Sequence, residues 1–195
     1  MIIGIDIDGV LTDIERFMCD SCTKFCYENN IEMNIKWGEY DTDKAFTLTH
    51  EQEMKFWNEY LEDYARDYCP REYAVEVINK LRENNKIYLI TARDEYGLPK
   101  ESYRKMHDFV KEWIDKYKIY YDKLFFSPDK EKLDCCIKNN VDIMIEDSTT
   151  NIEYMSKKMN VFCYDCGYNH NIVGKNITRV YSWYDILAKV INMNK

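Results

Sequence analysis

Five short apolar runs, separated for most of the chain by helical stretches of about 10–15 residues, set the fold class of this sequence. They are Ile2 to Ile7, Ile87 to Thr91, Leu124 to Ser127, Val141 to Ile145 and Val161 to Tyr164. The first is β-branched and apolar on both faces, which suits a strand buried on both sides of a parallel sheet. The stretches between the later runs carry apolar residues at three- and four-residue spacing. Pro99 opens one, with Tyr103, Met106, Val110, Trp113 and Tyr117 on its inner face. Lys130 to Asn139 is the next, and Thr149 to Met159 follows with Ile152, Met155 and Met159. Ser182 caps a last helix through Ile186, Leu187, Val190 and Ile191. This alternation predicts right-handed βαβ units, a parallel sheet and the α/β class.

The rhythm is interrupted once. After the first run, Ile14, Phe17, Met18, Cys22, Phe25 and Cys26 fall at helical spacing. Asn34 to Thr49 is irregular. His50 to Tyr68 is helical, with Met54, Trp57, Leu61 and Tyr64 on one face. Pro70 fits the first turn of a further helix with Ala74, Val77, Ile78 and Leu81 inside. The interruption is too long for one crossover. The expected division is a core of residues 1–13 and 71–195, with a small helical cap of residues 14–70.

Charge narrows the function classes. Lys+Arg number 27 against 35 Asp+Glu, a net charge of −8. A polyanionic nucleic acid needs a basic stripe, so a nucleic-acid polymer is not the expected partner. A small phosphorylated substrate needs only a few local cations. No apolar run is long enough to span a membrane. Asp6 and Asp8 interrupt the first apolar stretch and no basic segment precedes it, so no secretory signal is expected. The expectation is a cytoplasmic protein whose eight cysteines are reduced.

The chemistry gathers where strands end. Asp6-Ile7-Asp8-Gly9 closes the first run, and alternation along a strand puts both acids on one side. Gly9 permits the turn that follows. Ligands of open α/β sheets sit beyond the carboxyl ends of the strands. Paired carboxylates there are costly to bury alone, and a hard cation such as Mg²⁺ offsets that cost. Glu146-Asp147 repeats the pattern after the Val141 to Ile145 run. Thr91-Ala92-Arg93 ends another run with a hydroxyl, a backbone N–H and a cation, a set suited to phosphate oxygens. Lys132 stands near the start of a helix, where its charge adds to a positive helix end.

Acid pair, Thr, Lys and acid pair, in that order, resemble the haloacid dehalogenase-like hydrolase superfamily. Asp6-Ile-Asp8-Gly-Val-Leu-Thr-Asp13 matches its first motif, DxDGxxxD. Leu89-Ile-Thr91-Ala-Arg93 matches the second, Lys132 the third, and Glu146-Asp147 the fourth. The resemblance implies a Rossmann-like core of strand order 5-4-1-2-3 with a cap inserted after the first motif. It implies a Mg²⁺-dependent phosphatase in which Asp6 is the nucleophile and Asp8 the general acid and base. Mg²⁺ would be held by the Asp6 carboxylate, the Asp8 backbone carbonyl and Asp147. Thr91, Ala92 and Lys132 would bind the phosphoryl oxygens. Glu146 would stand behind the ligands, orienting a bound water or Lys132. Chain length, the size of the helical insert and Cys163-Tyr-Asp165-Cys-Gly-Tyr168-Asn169 are similar to the 5′(3′)-deoxyribonucleotidase type. That implies a nucleoside 5′- or 3′-monophosphate as substrate, with a sugar phosphate or another small phosphate ester as the alternative.

Substrate contacts are expected from Arg93 and from an aromatic wall drawn from Trp37, Tyr40, Phe46, Trp57 and Tyr60, with Trp37, Tyr40 and Phe46 the better candidates, since a flat base stacks on aromatic faces. The helical spacing of Trp57 assigns it to a core instead. Cys163, Cys166 and His170 have the look of half a zinc site, with Cys19, Cys22 and Cys26 as the other half, but the latter set also fits the inner face of a helix. A receiver-like module would carry an acceptor Asp at the end of the third strand, where Phe125-Phe126-Ser127-Pro128 offers none. A sugar transferase would place Asp-x-Asp deep in the chain rather than at residue 6. A phosphate-binding protein without catalysis is the remaining alternative.

Overall fold

The computed structural model describes residues 1–93 and 105–193. Six parallel strands form one sheet: β1 (Ile2–Ile5), β2 (Lys86–Thr91), β3 (Lys123–Phe126), β4 (Ile143–Glu146), β5 (Asn160–Tyr164) and β6 (Ile177–Val180). Their order is β3-β2-β1-β4-β5-β6. The expected order of five is therefore present, and β6 extends it at the β5 edge. β6 has no counterpart among the five apolar runs. Only Val180 of its residues is fully buried, so its pattern is weak, as an edge strand allows.

Period-two alternation sorts the sheet into two faces. Ile3, Ile5, Ile87, Leu89, Ile143 and Ile145 enter one buried cluster with α4 (Ala74–Leu81), α5 (Met106–Tyr117) and α8 (Trp183–Met193). Tyr88, Ile90, Met144, Val161 and Cys163 enter the other with α6 (Asp129–Lys138) and α7 (Thr149–Met155). Both faces of the central strands are dry, as parallel crossovers require. Burying one Ile side chain contributes roughly 1.5–3 kcal/mol, so this double burial fixes the register. β1 pairs Ile5 with Leu89 of β2 and with Ile145 of β4. The residues that follow β1, β2 and β4 therefore emerge side by side at one edge.

Between β1 and α4 lie α1 (Ile14–Glu28), α2 (Thr42–Phe46) and α3 (His50–Asp67). Phe17, Met18, Cys22, Phe25, Cys26, Ala45, Phe46, Phe56 and Tyr64 form their own buried cluster. Three expectations change here and one later in the chain. The irregular segment contains α2. The inner face of α3 is centred on Phe56 and Tyr64, while Met54 is exposed. The reason is that α3 packs on two sides, against the α1 cluster and, through Ala65 and Leu61, against Met106 and Phe109. Pro70 lies in an isolated antiparallel bridge to Thr12, and α4 starts only at Ala74. α7 stops at Met155, short of Met159.

The remaining helices run close to expectation. Pro99 and Tyr103 lie outside the described residues. Ser182 accepts from Asp185 N–H at 3.2 Å, the expected cap of α8. No helix among the described residues is long and apolar enough to cross a membrane.

Candidate active site

The β1 strand ends one residue before its first acid. Asp6 N–H still donates to the Ile145 carbonyl at 3.1 Å. A wide turn over Ile7–Leu11 follows, closed by Thr12 N–H donating to the Ile7 carbonyl at 2.9 Å. Strand alternation therefore does not reach Asp8, and the two carboxylates face different partners. Gly9 has φ +75°, and a Cβ there would collide with the Asp147 carboxylate. Asp13, the last acid of the first motif, caps α1 by accepting from Arg16 N–H at 3.0 Å and pairs with Arg71 at 2.7 Å. Arg71 also donates to the Gly9 carbonyl at 3.1 Å and lies over the Tyr164 ring. The turn is thus tied to α1 and to the segment before α4.

On one side of the turn, Asp6, Glu146 and Asp147 have oxygens within 4.8 Å of one another, and all three are buried. Lys132, 2 % exposed, donates to Asp6 Oδ2 at 2.8 Å and to Glu146 Oε2 at 3.1 Å. Asp6 Oδ1 accepts from Ile7 N–H at 2.8 Å. Glu146 Oε1 accepts from the N–H groups of Asp147 and Ser148 at 3.2 and 3.1 Å. Tyr168 donates to Asp147 Oδ2, and Asn169 donates to the Asp147 carbonyl at 2.8 Å. Burial raises the Asp6 carboxyl well above its ordinary value, and Lys132 only partly offsets this against its acidic neighbours. Asp147 is likewise raised, by burial first and then by Glu146. Three buried carboxylates against one ammonium leave an excess of negative charge lined with oxygen donors. That donor set fits a hard divalent cation.

On the other side, Asp8 meets Arg93 and Tyr64. Arg93 Nη2 lies 2.7 Å from Asp8 Oδ1, and its Nε lies 3.0 Å from Oδ2. Tyr64 donates to Asp8 Oδ1 at 2.6 Å. Burial acts to raise the Asp8 carboxyl, but Arg93 and the Tyr64 hydrogen bond outweigh it and hold it below the ordinary value. Thr91 closes β2 fully buried, its hydroxyl accepting from Arg93 N–H at 3.3 Å. Ala92 follows, half-buried.

The sequence-chosen residues thus divide. Asp6, Lys132, Glu146 and Asp147 come together as one group. Glu146, placed behind the ligands by the sequence, is part of the acidic trio, whereas the Asp8 carboxylate is not. Arg93, expected on the substrate, is engaged by Asp8. Phe46, expected in an aromatic wall, is buried in the helical cluster, together with half-buried Trp57 and Tyr60. Its place in α2 turns it inward. Trp37 and Tyr40 are 58 % and 51 % exposed, and Tyr40 meets the Tyr168 ring edge-on at 5.0 Å. Cys163 and Cys166 are buried among core residues, and neither joins a metal-capable group among the described residues. Tyr64 was legible only as a core position; its hydroxyl at that depth was the signal, since a buried phenol needs a partner.

Comparisons with known proteins agree on one group. Residues 1–194 match the family described as 5′ nucleotidase, deoxy (pyrimidine), cytosolic type C protein. A nucleotidase from Clostridium acetobutylicum is 28 % identical over 189 residues, covering 96 % of this chain and 92 % of that protein. Among solved structures, a haloacid dehalogenase-like hydrolase from Streptococcus pneumoniae superposes with TM-score 0.66 at 12 % identity, covering 97 % of both chains. A conserved haloacid dehalogenase-like protein from Agrobacterium tumefaciens gives 0.67 at 13 %, covering 100 % of this chain and 99 % of that one. These likenesses carry the fold, and the family match carries the class. The chain belongs to the cytosolic type C 5′ nucleotidase family, phosphoric monoester hydrolases on a haloacid dehalogenase-like core.

Proposed function

We propose that the protein hydrolyses a nucleoside 5′- or 3′-monophosphate with Mg²⁺, through a phosphoaspartyl intermediate on Asp6. The observation that carries this reading is the buried trio of carboxylates joined to Lys132 at the ends of β1 and β4. An Asp6 oxygen attacks phosphorus, and the ester oxygen departs with a proton from Asp8. Asp8 then takes a proton from water, whose oxygen attacks the phosphoaspartate and returns Asp6 and inorganic phosphate. Lys132 and the Thr91–Ala92 segment face the phosphoryl oxygens, where fixed donors act most strongly as charge develops. Lys132 also favours the ionised form of Asp6, partly offsetting burial and the acidic neighbours.

Asp6, Asp147 and the Asp8 carbonyl would hold Mg²⁺, with Glu146 alongside. The ion would screen the repulsion between an anionic nucleophile and an anionic phosphate. Residues 14–70 are read as a cap over this edge, since Tyr64 of α3 touches Asp8 and Tyr40 touches Tyr168. The cytosolic description of the matched family supports a cytoplasmic location.

Phosphate release from 5′- and 3′-mononucleotides, deoxy and ribo, from sugar phosphates and from an aryl phosphate tests the substrate. Preferred release from nucleotides, dependent on Mg²⁺, is expected. Release from sugar phosphates alone would discard the nucleotide and keep the chemistry. No release from any ester would overturn both.

A further inference from the structure

The Asp8 carboxylate is gripped by groups to which the phosphatase reading gives no task. Its Oδ1 accepts from Tyr64 at 2.6 Å, from Arg93 Nη2 at 2.7 Å and from Arg93 Nε at 3.2 Å. Its Oδ2 has Arg93 Nε alone at 3.0 Å among the described residues. Oδ1 is therefore saturated, and Oδ2 is the oxygen with room for a transferable proton. Behind Tyr64, the Thr12 hydroxyl lies 2.6 Å from the phenol oxygen and 3.2 Å from the Ile7 carbonyl. The phenol proton is committed to Asp8, so Thr12 donates to the phenol oxygen, the nearer of its acceptors. A one-way chain runs from Thr12 through Tyr64 to Asp8, and each bond polarises the next.

The same groups bind α3 to the sheet edge. Arg93 Nη1 donates to the Ala65 carbonyl at 3.4 Å, and its guanidinium lies 5.2 Å from the centre of the Tyr64 ring. Tyr64 is 2 % exposed, Thr12 is fully buried, and the Arg93 side chain is 6 % exposed. Buried polar chains of this kind hold one geometry, because any displaced member loses its partner without gaining water.

We propose that Tyr64 and Arg93 are positioning residues for the Asp8 carboxylate, and that Tyr64 makes its placement depend on the seating of α3. The proposal rests on the reading of Asp8 as the acid and base. Asp8 sits on a turn, so its side-chain torsions are not set by the strand. Two donors from separate elements fix them, and they leave Oδ2 as the less engaged oxygen for proton transfer. Proton transfer needs an approach of about 3 Å, so a small misplacement is expensive in rate. Arg93 thus serves the acid rather than the substrate.

Leaving-group chemistry separates positioning from packing. A nucleoside 5′-monophosphate, or whichever alkyl phosphate turns over, needs a proton on its departing oxygen. An aryl phosphate with an acidic phenol does not. In Tyr64→Phe, kcat on the alkyl ester should fall at least about tenfold, a fraction of the 10²–10⁴-fold that a positioned acid–base group supplies. KM should stay within about twofold, and first-turnover release of the aryl oxide should stay within about twofold, because neither uses the acid. Thr12→Val leaves the Tyr64–Asp8 bond in place and should cost less than about threefold on the alkyl ester. Should Tyr64→Phe fail to fold, Arg93→Lys keeps the charge, loses the two-pronged grip and should show the same split. An equal fall on both esters, or no fall on the alkyl ester, overturns the proposal while leaving the phosphatase reading intact. Absence of turnover by the unaltered protein overturns that reading, and the proposal with it.

Discussion

On one side of the β1 turn, Asp6, Glu146 and Asp147 crowd around a single ammonium; on the other, Asp8 faces a guanidinium and a phenol. The first group is built wholly from the sheet edge and α6, and its charge does not balance. The second draws one member from α3, and its charge does. An unbalanced buried cluster gains by taking in a cation, because each carboxylate left alone is costly in a low dielectric. A balanced pair gains nothing from an ion and serves to hold geometry. One turn of chain thus provides a charge sink at Asp6 and a fixed lever at Asp8, separated by the single residue Ile7.

The contrast can be broken most severely at Asp6. Asp6→Asn should lower kcat by at least about 10³-fold, because the proposed nucleophile is lost and not merely weakened. Steady-state phosphate release gives the rate, and far-UV circular dichroism should show an unaltered fold. Metal removal comes next. Chelation should reduce turnover at least about 10²-fold and Mg²⁺ should restore it, since ion binding relieves the three-carboxylate excess. Retained activity in excess chelator would place the balance of charge elsewhere.

Gly9→Ala is expected to act on both halves at once. The left-handed φ costs about 1–3 kcal/mol for a residue with a side chain, and the new Cβ pushes on Asp147. Thermal unfolding should show the lost stability, and a titration with Mg²⁺ should need several-fold more ion for half-maximal rate. The narrowest effect, on the cation half alone and without the loss of stability, belongs to Tyr168→Phe, which removes one hydrogen bond to Asp147. Groups that orient a metal ligand typically contribute about 10–100-fold in affinity, and the low end is expected here because Asn169 still holds the Asp147 backbone. An unchanged Mg²⁺ requirement would remove Tyr168 from the cation half.

The two halves were not equally legible in the sequence. Asp6, Glu146 and Asp147 end short apolar runs, and a strand buried on both faces can deliver its next residue only to the sheet edge. That placement follows from local pattern alone. Lys132 could be singled out from other lysines only through the family resemblance, since nothing in its spacing distinguishes a buried ammonium from a solvated one. The Asp8 half was mostly hidden. Strand alternation extended past Ile5 gave both acids the same side, whereas the wide turn over Ile7–Leu11 redirects the second. Tyr64 fell on the right helical face and so read as packing. Helical spacing alone puts Met54 inside because the apolar residues of α3 span a broad arc, and only the docking of α5 decides which part is covered. Phe46 was lost for the same reason, as a short helix in an apparently irregular segment turns it into the α1 cluster. β6 escaped because an edge strand needs little apolar pattern to pair.

Trapping a covalent phosphoenzyme is the most direct test of Asp6 as the nucleophile. The protein is mixed with a nucleoside monophosphate labelled in its phosphoryl group and with Mg²⁺, then quenched in acid during turnover. Label is expected on the peptide that contains Asp6, absent from the same peptide of Asp6→Asn. Label on a different residue, or undiminished turnover by Asp6→Asn, would contradict that role.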